Sequence, residues 1–157
     1  MSIESISSMT SYPPMSELAE GRILGLDLGE KRIGLAVSDP LGLTAQGLPT
    51  LEVGSDKEAL EGIAGAAREW EAARIVVGLP VNMNGSEGAQ AARARRVGAA
   101  LGRALSLPVD FCDERWSSRS AERVLLEADL SRGKRRKALD RLSAQIILQS
   151  YLDSRTK

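Results

Sequence analysis

The sequence predicts an α/β fold, and three features of the chain support this prediction. Four short runs rich in aliphatic residues have the length of strands, at positions 22–28, 33–37, 74–79 and 107–112. Segments with apolar residues at helical spacing follow the later runs, as in strand-helix-strand units. A chain of 157 residues, of which 43% are hydrophobic, can bury one substantial core. We therefore expect a single domain over residues 21–157, preceded by a disordered extension over residues 1–20.

The first two strand runs predict a β-hairpin that carries a carboxylate in apolar surroundings. Residues 22–28 are apolar on both faces, as in a central strand, and a charged turn at 29–32 separates them from the run 33–37. Alternation places Asp27 on the same face as Gly25. Burial of an unpaired carboxylate is unfavourable, so Asp27 needs a compensating partner. The simpler alternatives are a strand-end Asp that accepts hydrogen bonds from a turn, and a partly solvated charge.

The next segment predicts a third strand and a structural helix. Residues 43–53 have strand length, and Ser55 or Asp56 can cap a helix that extends to about Glu71. The apolar residues of this helix share one face, and its glutamates lie on the other. We expect it to support the core without a role in function.

A strand, a polar loop and a helix follow, and this order can present backbone N–H groups to an anion. The strand 74–79 stops at Pro80, and the loop 80–88 is rich in Asn, Gly and Ser. Ser86 can cap the next helix, which extends to about Leu105. An ordinary connection between strand and helix is the alternative for this loop.

Three arginines of the second helix fall in one narrow sector beside its apolar face. They are Arg93, Arg96 and Arg103. Arginines on a helix usually form a solvated face, but these follow the polar loop. Both a solvated face and contact with phosphate groups therefore stay open.

The next strand and helix add two acids. The strand 107–112 delivers Asp113 and Glu114 at its carboxyl end, which is where open α/β sheets bind ligands. A helix is expected to open at Ser117 or Ser118.

The last predicted helix, residues 138–154, carries a third acid. Asp140 lies on the same stripe as apolar residues such as Ala144 and Ile147, so it is expected to face the protein. A basic run over residues 132–141 surrounds it.

Composition limits the chemistry that these acids can support. The chain contains no histidine, which excludes a histidine base and histidine-ligated zinc. Basic and acidic residues number 21 each, so any basic surface is local. The single cysteine, Cys112, excludes an internal disulfide and fits a reducing compartment. No apolar run approaches the roughly 20 residues of a membrane span, and the first residues lack the pattern of a signal peptide. We expect a cytoplasmic protein that does not enter a membrane.

Asp27, Glu114 and Asp140 are therefore expected to converge on one point. Adjacent carboxylates repel one another and raise one another's pKa values unless a cation compensates. Oxygen ligands favour Mg²⁺ or Mn²⁺, and ions held in this way are used to cleave phosphodiesters. The pattern predicts a metal-dependent phosphodiesterase site.

Four segments resemble the signature blocks of the bacterial YqgF-type (RuvX) family, in the same order. They read LGLDLGEKRIGLAVSD, VVGLPVNMNGSEG, DERWSS and KALDRLSAQIILQSYLD, and they lie within residues 22–154. Proteins of this family are described as nucleases of pre-16S ribosomal RNA and, earlier, as Holliday-junction resolvases. The resemblance implies an RNase H-like α/β fold with a five-stranded mixed sheet flanked by helices. The first three strands would be antiparallel, and the last two parallel to the first.

Carried over by position, the resemblance implies that Asp27, Glu114 and Asp140 are the catalytic, metal-binding acids, with Asp113 a weaker candidate. Nucleic-acid contacts are assigned to basic and polar residues of the motifs, the second helix and the basic run. These are Lys31, Arg32, Asn84, Arg93, Arg96, Arg115, Arg135 and Lys137. The implied cofactor is Mg²⁺ or Mn²⁺, and the implied partner is pre-ribosomal RNA or branched DNA.

The implied function is processing of the 5′ end of pre-16S rRNA in ribosome biogenesis, and three alternatives stay open. A DNA junction resolvase would use the same acids but requires a dimer, and the sequence does not decide between monomer and homodimer. The first hairpin is similar to the phosphate-binding hairpin of actin-like ATPases and sugar kinases, which need two such domains. A non-catalytic RNA-binding or ribosome-assembly role would keep the fold without needing the acids.

Overall fold

The computed structural model describes residues 21–114 and 132–155, and in the second segment it describes side chains from residue 142 onward. These residues form five strands and three helices. In chain order they are β1 (Arg22–Leu28), β2 (Arg32–Ser38), β3 (Ala45–Glu52), α1 (Asp56–Glu69), β4 (Ala72–Leu79), α2 (Ala89–Leu105), β5 (Val109–Asp113) and α3 (Arg132–Arg155). The predicted extension over residues 1–20 and the predicted helix after Ser117 or Ser118 lie outside the described residues.

The five strands form one mixed sheet in the order β3-β2-β1-β4-β5. β1 pairs with β2, and β2 with β3, in antiparallel fashion, whereas β4 is parallel to β1 and β5 is parallel to β4. This topology confirms the predicted fold class. Because β1, β4 and β5 are parallel, their carboxyl ends meet at one edge of the sheet, which we name the carboxyl edge.

Alternation along the strands assigns each side chain to one of two helical layers. Leu24 of β1 belongs to a core cluster that includes Leu101 of α2 and residues of α1. Ile23 belongs to a second cluster with Leu148 of α3. Helices α1 and α2 therefore cover one face of the sheet, and α3 covers the other. Asp27 shares the α3 face with Ile23, as the pattern of β1 predicts.

Helix α3 runs antiparallel to β1 and begins at Arg132 rather than at the predicted residue 138. Gly25 of β1 permits a close approach, because a Cβ at this position would lie 2.9 Å from Leu148 Cβ. Further along α3, Leu152 lies beside Gly42 of the β2–β3 loop, at the amino end of β1. The N-terminal half of α3 therefore extends toward the carboxyl edge.

Two polar contacts hold α3 in this position. The Gln149 Oε1 atom accepts a hydrogen bond from the Ala45 amide of β3 at 2.9 Å. At the opposite edge strand of the same face, the Tyr151 hydroxyl donates to Asp110 of β5, which also accepts from Arg74 at 2.8 Å. These contacts fix the position of α3 along the strands.

The starts of α1 and α2 differ from each other. Ser55 caps α1 as predicted, because its Oγ accepts a hydrogen bond from the Glu58 amide at 3.1 Å. The predicted Ser86 cap of α2 is wrong, since the N-cap is Gly88 and has no side-chain cap bond. The Ser86 hydroxyl instead donates to Asn84 Oδ1 at 2.6 Å, within the loop. Neither these helices nor the described part of α3 has the length and apolarity needed to cross a bilayer.

Candidate active site

The carboxyl edge holds two of the three predicted acids. Asp27 lies near the end of β1, and Glu114 directly follows β5. Strand β4 lies between them, and its Leu79 pairs with Asp113. The Glu114 amide donates to the Leu79 carbonyl at 3.1 Å, which continues the parallel pairing past the end of β5. The two acids thus come from the strands on either side of β4.

The side chains of Asp27 and Glu114 are hydrogen-bonded to each other. Two carboxyl groups form such a bond only when one of them carries a proton. The pKa of Glu114 is raised to about 9. Burial contributes most, and the Asp27 hydrogen bond, the Asp27 charge and the Asp113 charge follow. Without a cation, the pair therefore retains a proton at neutral pH.

Gly78 of β4 provides the space for this pair. A Cβ at position 78 would lie 2.5 Å from Glu114 Oε1 and 2.7 Å from Ile147 Cδ1. Any larger residue would displace the glutamate, the helix side chain or both. Gly78 is not among the residues that the sequence predicts for the site. A signal was present, because a glycine inside a buried strand often marks a close approach.

The two residues that precede Glu114, Cys112 and Asp113, belong to opposite faces of the sheet. Phe111 packs in the cluster of α1 and α2, whereas Cys112 packs in the cluster of α3. Alternation therefore assigns Asp113 to the Phe111 face and Glu114 to the α3 face. Burial, followed by the charges of Asp113 and Glu114, raises the pKa of the Cys112 thiol. Cys112 thus behaves as a core residue rather than an activated nucleophile.

The backbone of α3 brings the third predicted acid to the level of Asp27. A Cβ at Gly25 would lie 3.5 Å from the carbonyl oxygen of Ala144. Asp140 precedes Ala144 by four residues, a rise of about 6 Å, and Asp27 follows Gly25 by about 6–7 Å of strand. The side chain of Asp140 lies outside the described side chains. Among those that are described, no group of three or more potential metal ligands occurs.

The Asp27–Glu114 pair suits a hard divalent cation. Its donors are carboxylate oxygens, which are the ligands that Mg²⁺ and Mn²⁺ prefer. Burial, followed by the hydrogen bond and charge of Asp27 and the charge of Asp113, raises the pKa of Glu114, so a proton neutralises the pair when no cation is bound. A cation can take over this role, since metal binding to carboxylates displaces protons.

The β4–α2 loop is braced by its own hydrogen bonds. The Asn82 amide donates to the Ser86 carbonyl oxygen, and the Gly85 amide donates to the Asn82 carbonyl oxygen, each at 2.8 Å. The Ser86 amide donates to Asn84 Oδ1 at 3.0 Å. These three N–H groups therefore have acceptors within the loop. If this loop presents backbone N–H groups to an anion, as predicted, it must use N–H groups other than these three.

The two arginines predicted near this loop differ in their surroundings. Arg93 is 14% exposed at its side chain, and it donates to Asp56 Oδ1 at 2.9 Å and to the Gly29 carbonyl at 2.7 Å. It connects α2 to the start of α1 and to the β1–β2 turn. Arg96 is 65% exposed, and its Nη2 atom lies 3.5 Å from Asp56 Oδ2, which is a longer contact than that of Arg93. The Arg93 hydrogen bond is the main factor that lowers the pKa of Asp56.

Asn84 uses its Oδ1 atom within the β4–α2 loop, where it accepts from the Ser86 amide and hydroxyl, and the five remaining predicted contact residues divide into two groups. Lys31 is exposed and Arg32 is half-buried, and both lie in the β1–β2 hairpin next to Asp27. Arg115 and the side chains of Arg135 and Lys137 lie outside the part of the chain that the structure describes.

Sequence comparison finds a family match and close relatives. Residues 21–154 match the RuvX family, whose description reads "Holliday junction resolvase". A protein of Pelotomaculum thermopropionicum named "Putative pre-16S rRNA nuclease" is 53% identical over 134 residues, which cover 85% of this chain and 87% of the relative. A protein of the same name from Syntrophomonas wolfei is 54% identical over 132 residues, which cover 84% of this chain and 94% of the relative.

Structural comparison finds a similar fold in two resolvases. The T. thermophilus RuvC structure in complex with a Holliday junction substrate has a TM-score of 0.58 and 15% identity, and covers 87% of this chain and 96% of that one. The Fowlpox virus resolvase with Holliday junction DNA has a TM-score of 0.55 and 14% identity, and covers 87% of this chain and 99% of that one. At these identities the likeness shows the shared RNase H-like fold alone. Together with the sequence matches, it shows that the chain belongs to the RuvX (YqgF-type) family of nucleases, which are hydrolases of phosphodiester bonds.

Proposed function

We propose that the protein is a metal-dependent endonuclease that acts on structured nucleic acid. Asp27, Glu114 and Asp140 would hold Mg²⁺ or Mn²⁺ at the carboxyl edge. The observation that supports this most strongly is the hydrogen-bonded pair of Asp27 and Glu114, which keeps a proton where a cation could bind. The position of Asp140 on the backbone of α3, level with Asp27, agrees with a third ligand there.

The bound ion supplies the means to activate water and to stabilise the leaving oxygen of a phosphodiester. The protein positions the acids and the substrate. Gly78 leaves room for the Glu114 carboxylate. Lys31 and Arg96 are exposed next to the carboxyl edge and can contact phosphate groups, which fixes the position of a nucleic acid strand without reading its sequence. Arg115, Arg135 and Lys137 remain candidates for further contacts of this kind.

The substrate that we propose is the 5′ end of pre-16S rRNA, processed in the cytoplasm during ribosome biogenesis. This proposal extends the name of the relatives at 53% and 54% identity, "Putative pre-16S rRNA nuclease", which match most of this chain. The absence of histidine leaves catalysis to oxygen ligands, as expected for an ion-dependent nuclease.

A DNA junction resolvase is the second candidate, because the family description names that activity. Symmetric cleavage of a junction requires two sites related by a two-fold axis, so this activity predicts a dimer. A non-catalytic role in RNA binding or ribosome assembly would instead leave function intact when the acids are replaced.

A cleavage assay with matched substrates tests these possibilities. The purified protein is incubated with a pre-16S rRNA fragment that carries its 5′ extension, or with a four-way DNA junction, each with Mn²⁺, with Mg²⁺ or with a chelator. We expect ion-dependent cleavage of the RNA in the parent and none in Asp27→Asn. Preferential cleavage of the junction would favour the resolvase. Binding without cleavage on both substrates would favour the non-catalytic role.

A further inference from the structure

One large apolar side chain extends into water at the carboxyl edge. Met83, in the β4–α2 loop, is 75% exposed. The other exposed large apolar side chains of the described residues, Leu41 and Leu43, lie in the β2–β3 loop at the opposite edge of the sheet. The residues on either side of Met83, Asn82 and Asn84, are polar, so among the described residues Met83 is the exposed large apolar side chain at the carboxyl edge.

The loop holds Met83 at its tip in a defined position. Val81 and Glu87 form an isolated antiparallel bridge, which closes the base of the loop. The Gly85 amide donates to the Asn82 carbonyl at 2.8 Å, which closes a four-residue turn around Met83. Gly85 has φ +88°, a conformation that favours glycine. Met83 is therefore presented by a preformed turn.

This turn leaves the sheet between the two strands that carry the acids. β4 lies between β1 and β5, and the loop starts directly after Leu79. Met83 lies two residues beyond the bridge at Val81, at the tip of the loop. The loop therefore leaves the sheet at the edge that also holds Asp27 and Glu114.

We propose that Met83 is a specificity-determining contact that packs against an unstacked base next to the scissile phosphate. This proposal rests on the proposed nuclease function. Apolar side chains such as methionine are used by other proteins to separate base steps, and the thioether is flexible and polarisable enough to pack against a base ring. Unstacking is easiest where a duplex is interrupted. Met83 would therefore direct cleavage toward bulges, branches and duplex ends.

Paired RNA duplexes test this proposal. One is continuous, and the other carries a single unpaired 2-aminopurine, whose fluorescence rises when it leaves the stack. The parent is compared with Met83→Ser, with Met83→Leu, which retains an apolar side chain, and with Leu41→Ser, which removes an exposed apolar side chain at the opposite edge. Cleavage rates of both duplexes and the fluorescence on binding are measured. Melting temperatures of all variants are expected to match the parent, because both sites are exposed.

We expect Met83→Ser to lower the preference for the interrupted duplex about 10-fold, which corresponds to about 1.4 kcal/mol, and to abolish the fluorescence rise. Met83→Leu and Leu41→Ser should resemble the parent. An unchanged preference and fluorescence in Met83→Ser would overturn the proposal. A parent that raises the fluorescence without cleaving either duplex would contradict the nuclease function but support the Met83 contact. A parent that does neither would overturn both.

Discussion

The Glu114 carboxylate occupies the space that a side chain at position 78 would need. The distance from a Cβ at Gly78 to Glu114 Oε1 would be 2.5 Å, well inside van der Waals contact. The same glycine faces Ile147 of α3, so strand, helix and acid meet at one point. The position of Glu114 relative to Asp27 therefore depends on Gly78, a residue that has no side chain.

Replacement of Gly78 by alanine should damage the site more than the fold. The atoms that the new methyl group meets are the ends of side chains, Glu114 Oε1 and Ile147 Cδ1, so they can shift at a cost of about 1–3 kcal/mol. The shift moves Glu114 away from Asp27, and cleavage should fall by 10-fold or more, roughly the loss seen when a support of a metal ligand is removed. Thermal unfolding and cleavage rates measure the two effects.

Gly65 provides the matched control for this substitution. It lies on the exposed side of α1, and a Cβ there would meet nothing within 4 Å. Gly65→Ala should leave cleavage unchanged and stabilise the helix by about 0.5–1 kcal/mol. If Gly78→Ala retained parental cleavage, the space at position 78 would not matter for the site.

Replacement of either paired acid by its amide should abolish ion-dependent cleavage while the fold persists. Loss of groups that merely support a metal ligand costs about 10- to 100-fold, so Asp27→Asn or Glu114→Gln should cost about 100-fold or more. Stability without an ion should match the parent at neutral pH, where the pair already shares a proton, and exceed it at higher pH, where the amide removes the repulsion between two carboxylates. Cleavage assays and the shift of the melting temperature with Mn²⁺ measure both effects.

An exposed acid of α1 controls for the loss of charge. Glu61→Gln removes one exposed negative charge on α1, which covers the face of the sheet opposite to Asp27, and it should behave as the parent in both assays. Parental cleavage by Asp27→Asn would remove Asp27 from the catalytic residues.

Stability without an ion should decrease as the pH rises. The pKa of Glu114 is raised to about 9, above its ordinary value of 4.5. Between these values the folded protein retains a proton that the unfolded chain has lost, so deprotonation favours unfolding. The stabilising contribution is complete below about pH 4.5 and is lost as the pH passes about 9. Urea unfolding across this range, with a chelator present, measures the slope.

Mg²⁺ should oppose this trend, because it binds the deprotonated pair. Its stabilising effect at a fixed concentration should therefore increase with pH. Glu114→Gln, which has no proton to lose at this position, should show a flatter profile and a smaller response to Mg²⁺. A parent whose stability is constant over this range would show that the pair does not retain a proton.

Local pattern predicts most of this fold but only part of its site. Apolar runs bounded by glycine and charged turns identify β1 and β2, and the alternation within β1 assigns Asp27 to the correct face. The family resemblance supplies the strand order. The role of Gly78 depends on Glu114 and Ile147, which are remote in sequence, so the glycine within β4 indicates a close approach but not the residues that approach it.

The same limit applies to the starts of helices and to ion pairs. Ser86 has the residue type and position of a cap for α2, but its hydroxyl donates to Asn84, and competition of this kind depends on loop geometry. The helical wheel groups Arg93 with Arg96, yet it says nothing about the acceptors that lie on other elements. Because of those acceptors, Arg93 is largely buried and held by hydrogen bonds, whereas Arg96 is exposed.

Arg93 and Arg96 should therefore respond differently to replacement by alanine. Arg93 donates to Asp56 and to the Gly29 carbonyl from a largely buried position, so Arg93→Ala should cost about 1–3 kcal/mol of stability. Arg96 is 65% exposed, and its pair with Asp56 spans 3.5 Å, so Arg96→Ala should change stability by about 0.5 kcal/mol or less. If Arg96 contacts a phosphate, its loss should weaken binding to all sequences and reduce the slope of log affinity against log salt by about 1.

Arg103 separates this effect from a general loss of positive charge. It is exposed on the same helix, but it lies in the last turn of α2, away from the carboxyl edge. Arg103→Ala should keep the parental salt slope, as measured by binding titrations at several salt concentrations. Equal slopes for the parent and Arg96→Ala would assign Arg96 to the solvated face of the helix. Equal reductions for Arg96→Ala and Arg103→Ala would mean that net charge, rather than a contact at the carboxyl edge, sets the affinity.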